Sequence, residues 1–463
     1  MKAIKKYIIK SIYAFFTILF LILFGCQDFL DVDEPNGEIT PELVFNDEVT
    51  ANASVSTLYT KLRDETLITG RLNGLSILMG FYTDELDFYG QSGNDIEYFY
   101  THQILPENNI LSSVWNSSYN LIFQCNAIIE GLENSHNITE STKNQLLGET
   151  IFVRSLVYFY LTNLFGDIPY TTTTDYKINM NLGRTNKDII YNTIIEDLLD
   201  AHSKLNSEYP SGERVRANRY VVSALLSRVF LYNEKWQEAN YYSSEVINNT
   251  ELYNLETDLS EEFLVESSSA ILQLKSQQQN LVTHEAGNFI FEYGPPFMIG
   301  LSSHIALDFE TGDLRKQYWV REINEGDQTW YMCNKYKRFD LNNSPKEYSI
   351  VFRLSEQYLI RAEARLKLGN LNGAATDINQ IRNRAGLSSV SLTDNLDAIL
   401  VQERKSELFC EHGHRWFDLK RWGNAQEILS PIKSNWRETD ILLPLPQNEL
   451  ELNPNLLPQN PGY

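Results

Sequence analysis

The string Cys410-Glu411-His412-Gly413-His414 concentrates the side chains that hold transition metals, and thiolate with imidazole is the donor set of zinc and copper centres. Two histidines two positions apart chelate only from extended or loop backbone, and no distant His/Asp cluster completes a shell, so no metal is expected. Just upstream, Glu403, Arg404, Glu407 and Glu411 recur at helical spacing. As a carboxylate pair Glu403 and Glu407 would suit glycosidic acid/base chemistry, but one helix face points both the same way instead of setting them on two sides of a substrate. With Arg404 and Lys405 beside them, ion pairing is their expected role. Gly413 should end that helix, and Arg415, Asp418, Lys420 and Arg421 should supply further partners. The sequence holds no G-x-S-x-G, P-loop or G-x-G-x-x-G pattern, so nothing in it argues for catalysis or a cofactor.

The aromatic content is a better functional signal. The 26 tyrosines, 23 phenylalanines and 7 tryptophans exceed what core filling obviously requires. Flat rings stack on the apolar faces of sugar rings while Asp, Asn, Gln and Arg bind hydroxyl groups, so a glycan site needs both kinds together. One stretch that supplies both holds Asp84, Asp87, Tyr89, Asn94, Asp95, Tyr98, Phe99, Tyr100 and His102. A second holds Trp319, Arg321, Asp327, Trp330, Tyr331 and Lys335, and a third, weaker one places Tyr293 and Phe297 on either side of Gly294-Pro-Pro296. The ligand-binding candidates are therefore Asp87, Tyr89, Asn94, Tyr98, Tyr100, His102, Tyr293, Trp319, Arg321, Trp330 and Tyr331. Packing into a core is the competing role for each ring, most of all for Trp115, which falls on a helix face.

Helical periodicity dominates the elements that must position these residues. Apolar residues recur at three- and four-residue steps over 115–132 and 147–165, and Phe165-Gly-Asp-Ile-Pro169 stops the second helix. Residues 216–249 resemble 351–384 at an offset of 135: Leu231, Ala239 and Val246 correspond to Leu366, Ala374 and Ile381. Each copy predicts a helix, a short break and a second helix, with the small alanine at the crossing, which is the tetratricopeptide arrangement. Between the copies, residues 251–350 form an irregular insert. Ala270–Leu274 and Phe289–Phe291 read as strands, with loops at Gly294-Pro-Pro296, Gly312-Asp313 and Asn342-Asn-Ser-Pro345. The insert and residues 80–113 are where loops on a rigid scaffold would assemble a site.

Four lysines and no acid precede the apolar run from Ile12 to Phe24, whose roughly 13 residues fall short of the ~20 that span a bilayer as a helix. Residues 1–25 therefore read as an export signal. Leu23-Phe24-Gly25-Cys26 is similar to a bacterial lipobox, which makes Cys26 the lipidated N-terminus of the mature chain and 26–40 an acidic, Pro/Gly-broken tether. Asp28 is the one close candidate for an acidic surface-export signal. Loss of the leader moves the net charge from -22 to -26, which disfavours nucleic acid as a partner. Beyond Cys26 only Cys125, Cys333 and Cys410 remain, widely spaced and without a CxxC, so no disulfide framework is supported.

In their order along the chain, Arg154 to Pro169, Ala224 to Trp236, Asn379-Gln-Ile-Arg-Asn-Arg-Ala-Gly386, Glu403 to Gly423 and the tail Leu445 to Tyr463 resemble the SusD/RagB family. The resemblance implies a mainly α SusD-like fold over 41–463, with tetratricopeptide-type helix pairs as scaffold and an irregular ligand-binding region containing short strands. It further implies a non-catalytic, cell-surface outer-membrane lipoprotein that captures an oligosaccharide and delivers it to a SusC-like TonB-dependent transporter. Peptide capture in the same role is the alternative, with a secreted glycoside hydrolase less favoured. The family's signatures lie in the scaffold, so the resemblance fixes no ligand residue. The helical-repeat side, marked by Arg228, Glu234 and Glu238, is the expected transporter face.

Overall fold

Asparagine and aspartate set where the long helices begin. In the computed structural model, which describes residues 1, 4–7, 44–276, 282–337 and 347–463, the side chains of Asp47, Asn108, Asn218, Asn370 and Asn395 each accept a first-turn backbone N–H. Such caps satisfy donors that the helix itself leaves unpaired. Met1–Val44 and Phe45–Tyr463 are two separate units, and every element labelled below belongs to the second. Cys26, the tether, Asn342-Asn-Ser-Pro345 and all but a few residues of the leader lie outside the described residues.

The chain runs through α1 (Glu48–Asp64), α2 (Leu75–Tyr82), β1 (Leu86–Phe88), α3 (Glu97–Tyr100), α4 (Asn109–Asn134) and α5 (Glu140–Phe165). Then come α6 (Tyr176–Asn179), α7 (Lys187–Lys204), α8 (Arg219–Tyr232), α9 (Trp236–Ile247), β2 (Ala270–Leu274), α10 (His284–Phe289), β3 (Ile299–Leu301) and α11 (Ser303–Ala306). The insert ends with α12 (Leu314–Trp319), β4 (Val320–Glu325), β5 (Gln328–Cys333) and β6 (Ser349–Arg353). Last are α13 (Leu354–Lys367), α14 (Leu371–Arg384), α15 (Leu396–Leu408), α16 (His414–Arg421), α17 (Ala425–Leu429) and α18 (Gln447–Leu452). The class is mainly helical with a few short strands. No helix among the described residues is long and apolar enough to cross a membrane.

Neighbouring helices pack as a continuous array in which α4 lies on α5, α5 on α7, α7 on α8, α8 on α9, α9 on α13 and α13 on α14. The helices α13 and α14 begin 135 residues after α8 and α9 respectively. Leu231, Ala239, Val246, Leu366, Ala374 and Ile381 are all buried, the alanines completely, so the helices of each pair approach closely. Because α9 packs directly on α13, the two pairs stack although the insert separates them in sequence. Leu359, Ala362, Ala374, Ile378, Ile381, Leu396 and Leu400 form one core cluster beneath α13, α14 and α15. Each fully buried Leu or Ile there stabilises by about 1.5–3 kcal/mol.

The insert contributes two small sheets. Fully buried β2 and β6 pair antiparallel at the foot of α13, while β1, β3, β5 and β4 form a four-stranded sheet in that order. Phe289–Phe291 is not a strand. Thr283 Oγ1 accepts the Ala286 N–H at 3.1 Å and starts α10, which carries the chain to Phe289 before it turns extended at Ile290. The helix bearing Glu403 also stops earlier than expected, at Leu408. Cys410, His412 and Gly413 take left-handed backbone conformations, and Gly413 precedes α16 instead of ending α15.

Candidate ligand-binding surface

Strands β1 and β3 are short and antiparallel, with Leu86 opposite Leu301, Asp87 opposite Gly300 and Phe88 opposite Ile299. Alternation along a strand puts Asp87 and Tyr89 on one face while Leu86 is buried on the other. Gly300 is required here: a Cβ at that position would lie 2.8 Å from Tyr89 Cε2, so the tyrosine ring lies over bare backbone. Pro296 closes the other side of that spot, its Cγ 3.4 Å from the same point. In the loop before β3, a Cβ on Gly294 would meet the Trp330 ring at 2.1 Å, so the loop backbone rests on the indole. The loop projects Tyr293 (75% exposed) and Phe297 (91%) into solvent, and Tyr89 (39%) is exposed at the end of β1.

Polar groups adjoin these rings. The Tyr100 hydroxyl lies 3.4 Å from Asp87 Oδ1 and donates to it, and the Lys433 ammonium sits 3.9 Å from the Tyr100 ring centre while donating to Phe81 O at 2.8 Å. Burial raises the Asp87 pKa, with Lys433 and His304 pulling it back. Burial also lowers Lys433 to about 8 and, together with Asp87, pushes the Tyr100 phenol up to about 12. The surface thus sets exposed ring faces beside the half-buried Asp87 and Tyr100 and the largely buried Lys433, the mixture of ring and polar groups that a polyhydroxylated ligand requires.

Of the residues singled out from the sequence, the structure brings Asp87, Tyr89, Tyr100 and Tyr293 to this surface. Asn94 is exposed in the turn before α3, its Oδ1 accepting the Ile96 N–H, and Tyr98 on α3 is half-buried. Arg321 is exposed on β4, Tyr331 is half-buried on β5, and Trp330 is covered by the Gly294 backbone. Besides Trp330, which is buried, two candidates are interior and cannot meet a ligand. His102 is buried, its Nε2 2.8 Å from Tyr82 O and its ring tilted at 36° against the Tyr82 ring 4.0 Å away, and burial lowers its pKa. Trp319 has no exposed area, donates to Leu259 O at 2.9 Å, and is surrounded by the cationic groups of Lys335, Arg353 and Arg384. Lys433, which sequence reasoning missed, lies in Ser430-Pro-Ile-Lys-Ser434, where no pattern distinguishes it from any other lysine.

That tryptophan belongs to a buried ionic network. Arg315, Lys335, Arg353, Arg382 and Arg384 meet Glu262, Asp313, Glu403, Glu407 and Glu411. Glu407 contacts Arg315, Arg353 and Arg384 together. Burial opposes its ionisation, yet the three guanidinium groups hold its pKa well below the usual carboxylate range; burial pushes Glu403 up despite Arg315 and Arg382. Both carboxylates are fully engaged by arginine and do not face a cleft as an acid and base would. Of the expected partners, Asp418 does pair with Arg404, whereas Arg415 pairs with Asp84 and Lys420 donates to Asn163 O; Lys405 pairs with Asp308. Arg228 is also interior, its guanidinium held by both oxygens of Glu356 at 2.6 Å, so it marks no exposed docking face. His412 Nε2 is 2.8 Å from Ile350 O, and no group of three or more His, Cys, Asp and Glu among the described residues is placed to hold a metal ion. Cys125, Cys333 and Cys410 are buried free thiols.

Known proteins share this sequence pattern and architecture. The SusD family model matches residues 308–437, and a second, described as starch-binding associating with outer membrane, matches 28–231. SusD-like proteins P25 and P2 of Formosa agariphila are 26% and 28% identical, each over 97% of this chain and over 98% and 99% of their own lengths. A SusD superfamily protein from Bacteroides vulgatus superimposes with a TM-score of 0.79 at 22% identity, covering 90% of this chain and 100% of that one. A laminarin-binding SusD-like protein gives 0.76 at 25% identity, with 90% and 99% covered. Surface glycan-binding protein A from Bacteroides thetaiotaomicron gives 0.77 at 18%, with 91% and 100% covered. Two family models along one chain, full-length relatives and the shared helical architecture place it together: the chain belongs to the SusD/RagB family.

Proposed function

We propose that this protein is a non-catalytic glycan receptor of the outer membrane, which stacks an oligosaccharide on Tyr89, Tyr293 and Phe297 and binds its hydroxyl groups through Asp87, Tyr100 and neighbouring polar groups. The observation that carries the reading is the exposure of three aromatic rings around a polar strand edge, on a scaffold whose other aromatics are largely packed away. The laminarin-binding and glycan-binding proteins of the same architecture support it. Attachment through lipidated Cys26, an outward-facing position and delivery of the ligand to a SusC-like TonB-dependent transporter complete the proposal. The ligand leaves chemically unchanged.

Calorimetric titration of residues 27–463 with a panel of neutral and acidic oligosaccharides tests this, repeated with Tyr89→Ala, Tyr293→Ala and Phe297→Ala. Covering roughly 50 Å² of ring face is worth about 1.3 kcal/mol at 25 cal/mol per Å², so each variant should weaken binding close to tenfold. The rings are exposed, so the variants keep their fold. Binding that is equally strong in all three variants refutes the placement. Silence across the panel, with binding to a peptide library instead, refutes the ligand class.

A further inference from the structure

The strand pair that carries the aromatic platform has a second end. Antiparallel pairing of β1 with β3 places Tyr89 and Met298 at one end and Asp84 and Ser303 at the other. At that far end lies an open cleft of about 420 Å³ whose polar wall includes Asp84, Ser303, His304, Asp308, Lys405 and Arg415. Leu307, Ile428 and Ile432 supply apolar surface between these groups, so the cleft offers ring faces as well as hydroxyl groups something to contact. From Met298 to Ser303 the chain advances five residues, which at about 3.4 Å per residue gives a span of ~17 Å, several pyranose rings long.

Strand β1 joins the two ends, with Asp84 just before it at the cleft and Asp87 and Tyr89 at the platform. Tyr89 and Tyr100 lie within electrostatic reach of each other and of Asp87. Asp87 in turn reaches Lys433 and His304, and Lys433 reaches Asp84. His304 and Asp84 both line the cleft. A row of polar side chains, with Asp84 and Lys433 in it largely buried, thus links the platform to the cleft.

We propose that one ligand follows this row: a neutral oligosaccharide whose first units stack on the platform and whose later units occupy the cleft, with Ser303, His304 and Asp308 binding their hydroxyl groups. This rests on the glycan-receptor reading. Charge selects the class. Arg415 forms two bonds of 2.8 Å to Asp84, and Lys405 lies 2.7 Å from Asp308 and 3.7 Å from Asp84, so each cation of the cleft is already matched by a carboxylate. A sulfated or uronic-acid chain would bring its negative charge against Asp84 and Asp308 with these cations already paired. Hydroxyl groups meet a mixed set of donors and acceptors at no such cost.

The test is calorimetric titration of residues 27–463 with laminari-oligosaccharides and cello-oligosaccharides from the disaccharide to the heptasaccharide, beside oligogalacturonates of matched length. It is repeated with His304→Ala, with Leu307→Trp, which fills the cleft from an exposed position, and with Tyr293→Ala. The expected result is affinity for a neutral series that rises with length. His304→Ala should weaken the longest members about fivefold, the scale of one lost hydrogen bond, and Leu307→Trp should abolish the rise, both leaving the shortest binding member unchanged. Tyr293→Ala should weaken every length. A length series indifferent to both cleft variants overturns the cleft assignment and leaves the platform standing. Tighter binding of oligogalacturonates than of both neutral series overturns the neutral class. No binding of either neutral series by the native chain overturns the proposal, and the wider panel then decides whether the platform reading falls with it.

Discussion

Replacing Glu407 with glutamine should cost this protein more stability than almost any other isosteric change. The side chain has no exposed area, its carboxylate serves Arg315, Arg353 and Arg384, and the backbone carbonyl of the same residue accepts from Arg353 at 2.6 Å and Lys335 at 2.8 Å. The surrounding network holds Arg315, Lys335, Arg353, Arg382 and Arg384 against Glu262, Asp313, Glu403, Glu407 and Glu411, so the buried charges balance. Glutamine keeps the shape but leaves one positive charge unmatched in the interior. Breaking a buried pair from one side typically costs about 3–5 kcal/mol, against a total of about 5–15 kcal/mol for a domain. The loss should appear as a lower midpoint in urea or guanidinium unfolding followed by tryptophan fluorescence. Glu234→Gln on the exposed turn after α8 is the control and should stay within about 0.5 kcal/mol of the parent. The linkage has a definite sign. A carboxylate held below its unfolded value contributes fully above that value and loses its contribution as pH falls through the folded value, so the Glu407 contribution should be complete above pH 4.5 and be lost progressively in acid below it. A Glu407→Gln midpoint indistinguishable from Glu234→Gln would refute the claim that the network carries stability.

Glu85 should show the opposite pH behaviour: burial raises its carboxyl from 4.5 to about 8, so the folded state holds a proton that the unfolded chain has released. Stability should therefore fall as pH rises between about 4.5 and 8, by at most about 1.4 kcal/mol per pH unit, and Glu85→Gln should flatten that slope in unfolding midpoints measured across the range. Trp319→Ala should lower stability by about 3–5 kcal/mol while leaving glycan affinity per folded molecule unchanged, measured by titration well below the unfolding midpoint. Gly413→Ala combines a φ of 74° with a Cβ 3.0 Å from Met79 and should destabilise by about 1–3 kcal/mol in the same unfolding assay.

The scaffold was legible because packing leaves a periodic trace. Leu231, Ala239 and Val246 face a core at helical spacing, and their counterparts recur 135 residues on because the same helix pair buries the same face. The surface left a fainter trace. Richness in aromatics and acids marked Asp87, Tyr89 and Tyr293, but composition cannot tell an exposed ring from one packed on a guanidinium, and Trp319 and His102 pack on Arg353 and Tyr82, partners outside the stretches that marked them. The exposure of Phe297 depends on Gly294 lying flat against Trp330, a contact between residues far apart in sequence. Lys433 reaches Tyr100 only because the segment after α17 folds back across α2, which no local pattern encodes.

The string that first suggested a metal centre acquires a different role from this geometry. Its backbone and side chains clamp the segment that begins the ligand surface: the Cys410 N–H donates to Glu85 Oε1 at 3.0 Å, the His412 N–H to Ser76 Oγ at 2.9 Å, and Arg415 forks onto Asp84. Glu85 O then accepts the Ser302 N–H at 2.8 Å, which ties the clamp to the end of β3. Left-handed conformations at Cys410, His412 and Gly413 are what turn these groups toward α2 and β1 within so few residues, and the short chain between α15 and α16 allows no looser path. The ionic network fixes α15, the turn transmits that position, and residues 84–89 receive it. Loosening the clamp at its cleft end should therefore be felt at the platform, at Asp87 and Tyr89 three and five residues on from Asp84. Arg415→Lys keeps the charge but loses the fork, and it should weaken glycan binding through Asp87 and Tyr89 by more than its effect on unfolding predicts.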